Sequence, residues 1–349
     1  MANIKNPKAM NPTEQVEFLE KQLGFVTFSR PPRFWLKTGS KRLNRVLGSE
    51  KLGIPYGKEI TLAGKQSSGK TMLALRLAGL AQRDGAKVAW IDVENSFDPE
   101  WAKKQGLDPG EPIYDGEGKV KGYDKIYLFS TKFGSFKRKE KKAPVFGKKP
   151  KKESKDKDPA KEQEKLRLTE RQQSAEELLT LVEKWMILQR KIDPDGKVFL
   201  GLDSTTALQP EEEIEAGYMD QNMRTRMSLA PLLNTLSKRM IPVALNTNAM
   251  VVFICQLRTN PTAGMFENPD YVPGGNGILF YPSTVAWMKR VRNVFEEGRN
   301  VGLESIIENK KNKMGYGSVE REKIGARMLF QSSDWEFVES DELFKKKKE

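Results

Sequence analysis

An α/β fold, with a mainly parallel sheet covered by helices on both faces, is predicted by three observations. Strand-length apolar runs without polar alternation recur along the chain, helical periodicity separates them, and a GxxxxGK[ST] element stands where one run gives way to a helix. The strand candidates fall at 59–63, 88–93, 125–130, 198–203, 250–256 and 284–289, and the helical patterns at 71–83, 174–190 and 226–239.

The glycine-rich element is Gly64-Lys65-Gln66-Ser67-Ser68-Gly69-Lys70-Thr71. Glu59-Ile60-Thr61-Leu62-Ala63 before it reads as a buried strand, and Met72-Leu73-Ala74-Leu75-Arg76-Leu77-Ala78 after it is a strong helix former. That context points the backbone N–H groups of the loop and of the helix N-terminus at one place, where they cradle phosphates. Residues 64–72 are therefore the candidate ATP-binding loop, from Gly64 to Met72, with Lys70 reaching the β- and γ-phosphates and the Thr71 hydroxyl a ligand of Mg²⁺.

Residues 11–23 read as a short amphipathic helix. Asn11 caps it, Pro12 opens it, Glu14 completes a capping box, and Val16, Leu19 and Leu23 share one face. A helix this short is marginal alone, so its apolar stripe requires a partner. Phe25-Val26-Thr27-Phe28 is a strand candidate, and Pro31-Pro32 separates this arm from the rest.

Composition removes several chemistries. The chain of 349 residues has no histidine, which excludes His-based acid/base catalysis, Ser-His-Asp and Cys-His systems and His-containing metal sites. A single cysteine, Cys255, excludes an internal disulfide and reads as a small core residue. No signal-peptide core or membrane-length apolar run is present, so a soluble, cytoplasmic protein without a membrane partner is expected. The net charge of +13 points to a polyanionic partner.

Much of that charge is local. Residues 132–171 hold 16 Lys/Arg against 7 Asp/Glu with few apolar residues, a composition that predicts a disordered insertion. It is either a solvated, solubilising loop or an electrostatic arm for nucleic acid. The lysines at 345–348 pose the same alternative on a smaller scale.

Two carboxylates complete a nucleotide site. Val198-Phe199-Leu200-Gly201-Leu202-Asp203 is an apolar strand ending in an acid, so Asp203 is the second candidate Mg²⁺ ligand beside Thr71. Ala89-Trp90-Ile91-Asp92-Val93-Glu94 is another, whose carboxyl end faces the ligand crevice of such a sheet. With no histidine available, Glu94 is the candidate base; its structural alternative is a surface or capping charge.

Thr38-Gly39-Ser40, the phosphate loop, Ile91-Asp92-Val93-Glu94 with Asp98-Pro99, Asp203-Ser204, Ile254-Cys255-Gln256-Leu257-Arg258, Gly264-Met265-Phe266-Glu267-Asn268-Pro269, Gly274-Gly275-Asn276 and Lys311-Asn312-Lys313 follow one another in the order seen in bacterial RecA. The chain thus resembles the RecA recombinase family over roughly residues 11–331, apart from the basic insertion. The run from Met265 to Asn276 is the most specific part, since ordinary phosphate-loop ATPases lack it.

The resemblance implies a RecA-type core over 35–331, a protomer-packing arm over 1–34, and a short basic tail over 332–349 in place of the usual C-terminal domain. It makes Glu94 the residue that activates water, Asp98 and Trp101 contacts to adenine, and Gln256 a sensor of the γ-phosphate. Lys311 and Lys313 correspond to a pair supplied by the neighbouring protomer, so the catalytic set it implies is Glu94, Lys70, Gln256, Lys311 and Lys313. DNA would be met by 217–226 and 259–277: Met223, Arg224, Arg226, Arg258, Met265, Phe266, Asn268, Gly274, Gly275 and Asn276. Without the resemblance, Met265 and Phe266 read as a loop's anchor into the core.

The function implied is an ATP- and Mg²⁺-dependent recombinase that forms helical filaments on single-stranded DNA and pairs it with homologous double-stranded DNA, with single-strand-binding and loader proteins as further partners. Gln66 replaces a glutamate and Leu279 a basic residue of bacterial RecA, which points to a divergent, phage-type recombinase similar in role to UvsX. On that reading the insertion and lysine tail recruit duplex DNA. A hexameric helicase or motor of the same fold, and a non-catalytic recombinase paralogue, are the alternatives.

Overall fold

The computed structural model describes residues 31–131, 133–137, 168–216, 222–262, 264, 269–314, 322–333 and 335–338, together with Asn11, Glu14 and Phe18. At the head of the expected N-terminal helix, the Glu14 amide donates to Asn11 Oδ1 at 2.9 Å and the Asn11 amide to Glu14 Oε2 at 3.0 Å, which is the reciprocal bonding of a capping box. Of the rest of that arm, residues 1–34, only Phe18 and 31–34 are among the described residues.

The chain enters the core through β1 (Trp35–Leu36), α1 (Lys41–Leu47) and β2 (Ile54–Pro55). Ser40 caps α1, accepting from the Leu43 amide. The parallel strands follow: β3 (Lys58–Gly64), α2 (Lys70–Arg83), β4 (Lys87–Asp92), α3 (Pro99–Lys104), the hairpin β5 (Pro112–Tyr114) and β6 (Val120–Tyr123), and β7 (Ile126–Ser130). After β8 (Phe133–Lys137) and β9 (Leu168–Gln172) come α4 (Ala175–Ile192), β10 (Val198–Asp203), α5 (Glu211–Ala216), α6 (Met223–Arg226), α7 (Leu229–Asn246) and β11 (Ala249–Gln256). The last elements are β12 (Arg258–Thr259), β13 (Asp270–Tyr271), α8 (Gly277–Phe280), β14 (Thr284–Glu296), β15 (Arg299–Asn312), β16 (Lys323–Leu329) and β17 (Trp335–Val338).

Nine strands form one sheet in the order β17-β16-β15-β14-β3-β11-β10-β4-β7. From β14 to β7 all neighbours are parallel, and from β14 to β17 they are antiparallel. Alternate residues of β3 face opposite cores. Ile60 and Leu62 pack with Leu73 and Leu77 of α2, whereas Ala63 belongs to the cluster that α4 and α7 cover with Val182, Met186, Leu233 and Met240. The predicted layered α/β architecture is present, and each of the six strand candidates is a strand.

Three departures have physical reasons. Helix α7 runs to Asn246 rather than stopping at 239, and it contains Pro242. Burial of Leu233, Leu236, Met240 and Ala244 on one face outweighs the hydrogen bond that proline cannot make. The strand expected at 284–289 continues to Glu296 and returns as β15, turning on Glu297 and Gly298, both of positive φ. The sheet also extends beyond residue 331, because β17 pairs with β16.

The segment expected to be disordered, 132–171, opens and closes with strands. Phe133–Lys137 pairs antiparallel with Leu168–Gln172, Lys137 opposite Leu168. The residues between them lie outside the described residues.

Candidate active site

The phosphate loop lies at the carboxyl end of β3, between the parallel strands and α2. Gly69 caps α2 with a φ of 88°, a left-handed conformation that demands glycine, and it faces the flexible end of Met328. The loop is fixed on both flanks. Ser305 of β15 donates to the Ser68 carbonyl at 2.9 Å, and Lys65 forms a 2.9 Å ion pair with Asp270 of β13. Lys70 is buried and its ammonium spans the loop to the Lys65 carbonyl at 2.8 Å. Burial lowers its pKa to about 8, opposed chiefly by Asp203.

At the foot of the loop the Thr71 hydroxyl donates to Asp203 Oδ2 at 2.7 Å. Burial raises the Asp203 carboxyl to about 6, a shift that the Thr71 bond reduces and neighbouring Glu94 increases. A hydroxyl and a carboxylate held together form an oxygen donor pair that suits Mg²⁺. Among the described residues no cluster of three or more His, Cys, Asp or Glu could hold a metal, so an ion here would take its remaining ligands from phosphate and water.

Glu94, just beyond the carboxyl end of β4, is held from two sides. Ser204 Oγ donates to its Oε1 at 2.7 Å and Gln256 Nε2 to the same oxygen at 3.3 Å. The three come from the ends of neighbouring strands β4, β10 and β11, so the sheet order itself brings them together. Ser204 is the member that sequence reasoning missed, although it directly follows Asp203.

These residues line an open cleft of about 490 Å³ that includes Gln66 to Met72, Glu94, Asp203 and Gln256. Trp101 closes one side together with Phe330, their ring centroids 5.8 Å apart. Phe330 had no signal in the sequence beyond being aromatic. Asp98 is not in the lining; it caps α3, accepting from the Glu100 amide at 2.9 Å and the Trp101 amide at 3.1 Å, and thereby orients the turn that carries Trp101.

Lys311 and Lys313 are not in this cleft. Lys311 donates to the carbonyls of Leu279 and Phe280, at the end of α8, and Lys313 is exposed. Burial lowers the Lys311 pKa to about 8, with Lys313 adding to the effect and Glu59 opposing it.

Beyond Gln256 the chain forms a short antiparallel base, β12 with β13, so the segment 259–277 is not structureless throughout. Arg258 is exposed on β12, and Met265, Phe266 and Asn268 lie outside the described residues. Gly274 and Gly275 pass against α7: an added Cβ at Gly274 would come 2.5 Å from Leu233 Cδ1. Asn276 leads into α8, its carbonyl accepting from the Leu279 and Phe280 amides. Met223 is 79% exposed at the start of α6, and the side chains of Arg224 and Arg226 lie outside the described residues.

A glycine-shaped loop on a helix N-terminus, an acid at the end of the next strand but one, and a second acid held beside it define a phosphate-loop nucleotide-binding core. The RecA N-terminal domain matches residues 34–114 and 175–323, well over half the chain, and the chain belongs to the RecA family. It is similar to Protein RecA of Acinetobacter baumannii strains AYE, SDF and AB0057, each 26% identical over 279 residues that make up 80% of this chain. The chain spans about 61% of the length of these relatives. Residues 115–174, which include β6 to β9, fall outside the family match. No helix among the described residues is long and apolar enough to cross a membrane.

Proposed function

We propose that this chain is a DNA-dependent ATPase that assembles as a helical filament on single-stranded DNA and exchanges strands with a homologous duplex. The observation that carries the reading is the Glu94 cluster, in which one carboxylate oxygen is shared by Ser204 and Gln256 beside the phosphate loop. Membership of the RecA family supports it.

In the proposed reaction the loop amides and the Lys70 ammonium bind the β- and γ-phosphates of ATP. Mg²⁺, held by Thr71 and Asp203, would neutralise charge on the phosphate oxygens. Glu94 orients the attacking water and takes its proton, with Ser204 fixing the carboxylate so that one oxygen is free for that task. The base stacks at the Trp101–Phe330 end of the cleft. Gln256 stands three residues before the 259–277 segment, so a change at the γ-phosphate reaches the DNA-facing loop through one side chain. Lys311 and Lys313 act on the nucleotide of the adjacent protomer, a role supported by their separation from this chain's own cleft.

The test is ATP hydrolysis with and without single-stranded DNA, on samples also imaged by electron microscopy. DNA-stimulated turnover with helical filaments is expected. Closed rings would replace this reading with a translocating motor, and filaments without turnover with a non-catalytic paralogue.

A further inference from the structure

Arg290 stands beside the phosphate loop without a role in the reading above. It lies on β14 two residues past Met288, the strand partner of Gly64, and directly opposite Ser305, whose hydroxyl holds the Ser68 carbonyl at 2.9 Å. Successive alternate residues of a strand share a face, so Arg290 follows Met288 toward the α2 side, where the nucleotide cleft opens. The side chain lines that cleft and also a second cavity of about 510 Å³ on the other flank of the loop, with Gln66 and Ser68 as the shared wall. It is exposed, and among the described residues its guanidinium has no ion-pair partner.

The charge of the cleft gives this placement its meaning. Of the side chains lining it, Lys70 and Arg290 are cationic and Glu94 and Asp203 are acidic. Those charges cancel before a polyanionic phosphate chain arrives, and Lys70 already spends one bond on the Lys65 carbonyl. A planar guanidinium with several donors matches phosphate oxygens better than any other side chain.

We propose that Arg290 is a second phosphate-contacting cation of the nucleotide cleft, supplied by the same chain that supplies Lys70. This rests on the nucleotide reading of the cleft. It is distinct from the lysines of the neighbouring protomer, because Arg290 acts before any filament forms. Ser305, whose hydroxyl anchors the loop, faces Arg290 across the hairpin and so ties the strand that carries Arg290 to the loop.

The experiment is competition of ATP, ADP and adenosine against a fluorescent ATP analogue, with Mg²⁺ and without DNA. It compares the full chain as wild type, Lys70→Ala, Arg290→Ala, Arg290→Gln and Arg290→Lys. Loss of one charge-assisted contact predicts that Arg290→Ala and Arg290→Gln weaken ATP and ADP about tenfold. Adenosine competition is expected to stay at the wild-type level, and Arg290→Lys to recover part of the loss. Wild-type affinity for ATP and ADP in the Ala and Gln variants, or an equal loss for adenosine, overturns the assignment while leaving the nucleotide reading in place. A wild-type protein that binds no nucleotide, or a Lys70→Ala variant that binds ATP as well as wild type, overturns both.

Discussion

Ser204 Oγ donates a 2.7 Å hydrogen bond to Glu94 Oε1, joining the residue after β10 to the residue two beyond the end of β4. The bond constrains the carboxylate without neutralising it. Glu94→Gln is therefore expected to keep ATP affinity while turnover falls about 10²- to 10⁴-fold, the range of a general base. Ser204→Ala should bind ATP normally and lose about tenfold in turnover, since it removes orientation alone. Steady-state phosphate release with DNA checks both; near-wild-type turnover in Glu94→Gln would dismiss Glu94 as the base.

The separation of Lys311 from its own chain's cleft makes a mixing experiment informative. Lys311→Ala and Glu94→Gln should each be nearly inactive alone. In an equal mixture, a head-to-tail filament places an intact Glu94 against an intact Lys311 at roughly a quarter of its interfaces. Recovery of a comparable share of wild-type turnover is expected, and no recovery at all would place Lys311 outside the reaction.

Glu59 is a stability liability. It is 2% exposed, both its oxygens lack hydrogen-bond partners among the described residues, and burial raises its pKa to about 8 against the opposing pull of Lys311 and Lys58. The folded chain holds this proton more tightly than the unfolded one, so stability is fully present below the ordinary carboxylate pKa and falls as pH rises toward 8. A shift of that size corresponds to about 5 kcal/mol. Glu59→Met, of similar volume, should melt higher than wild type, with a gap that widens from pH 5 to pH 8. Parallel melting curves across that range would refute the assignment.

At the other end of the cleft, Trp101 and Phe330 predict a base-binding defect without a chemical one. Each changed to Ala should raise the ATP concentration needed for half-maximal turnover several-fold, by about 1 kcal/mol or more of lost aromatic contact, and leave the maximal rate in place. A fall in maximal rate at unchanged affinity would move the base elsewhere.

The phosphate loop and both acids were legible because each is local: eight contiguous residues, and carboxylates at the ends of apolar runs. What was not legible is pairing across long separations. Ser204 reaches Glu94 over 110 positions, Ser305 reaches Ser68 over 237, and Phe330 meets Trp101 only once β16 is in place. The β14–β15 hairpin escaped notice because its strands are half exposed and charged, so a search for unbroken apolar runs ends at residue 289. Its turn, Glu297-Gly298 between extended arms, was the available signal. Helix α7 outruns the periodic pattern at 226–239 because burial of Met240 and Ala244 carries it through Pro242.

The antiparallel pairing of β8 with β9 sets Lys137 opposite Leu168. Thirty residues of chain thus depart from and return to one point on the periphery, so a change in their length alters loop-closure entropy only slowly and leaves the sheet register alone. In engineering terms the stem is a socket: a two-residue turn joining Lys137 to Leu168, or a label of other length, closes the same hairpin.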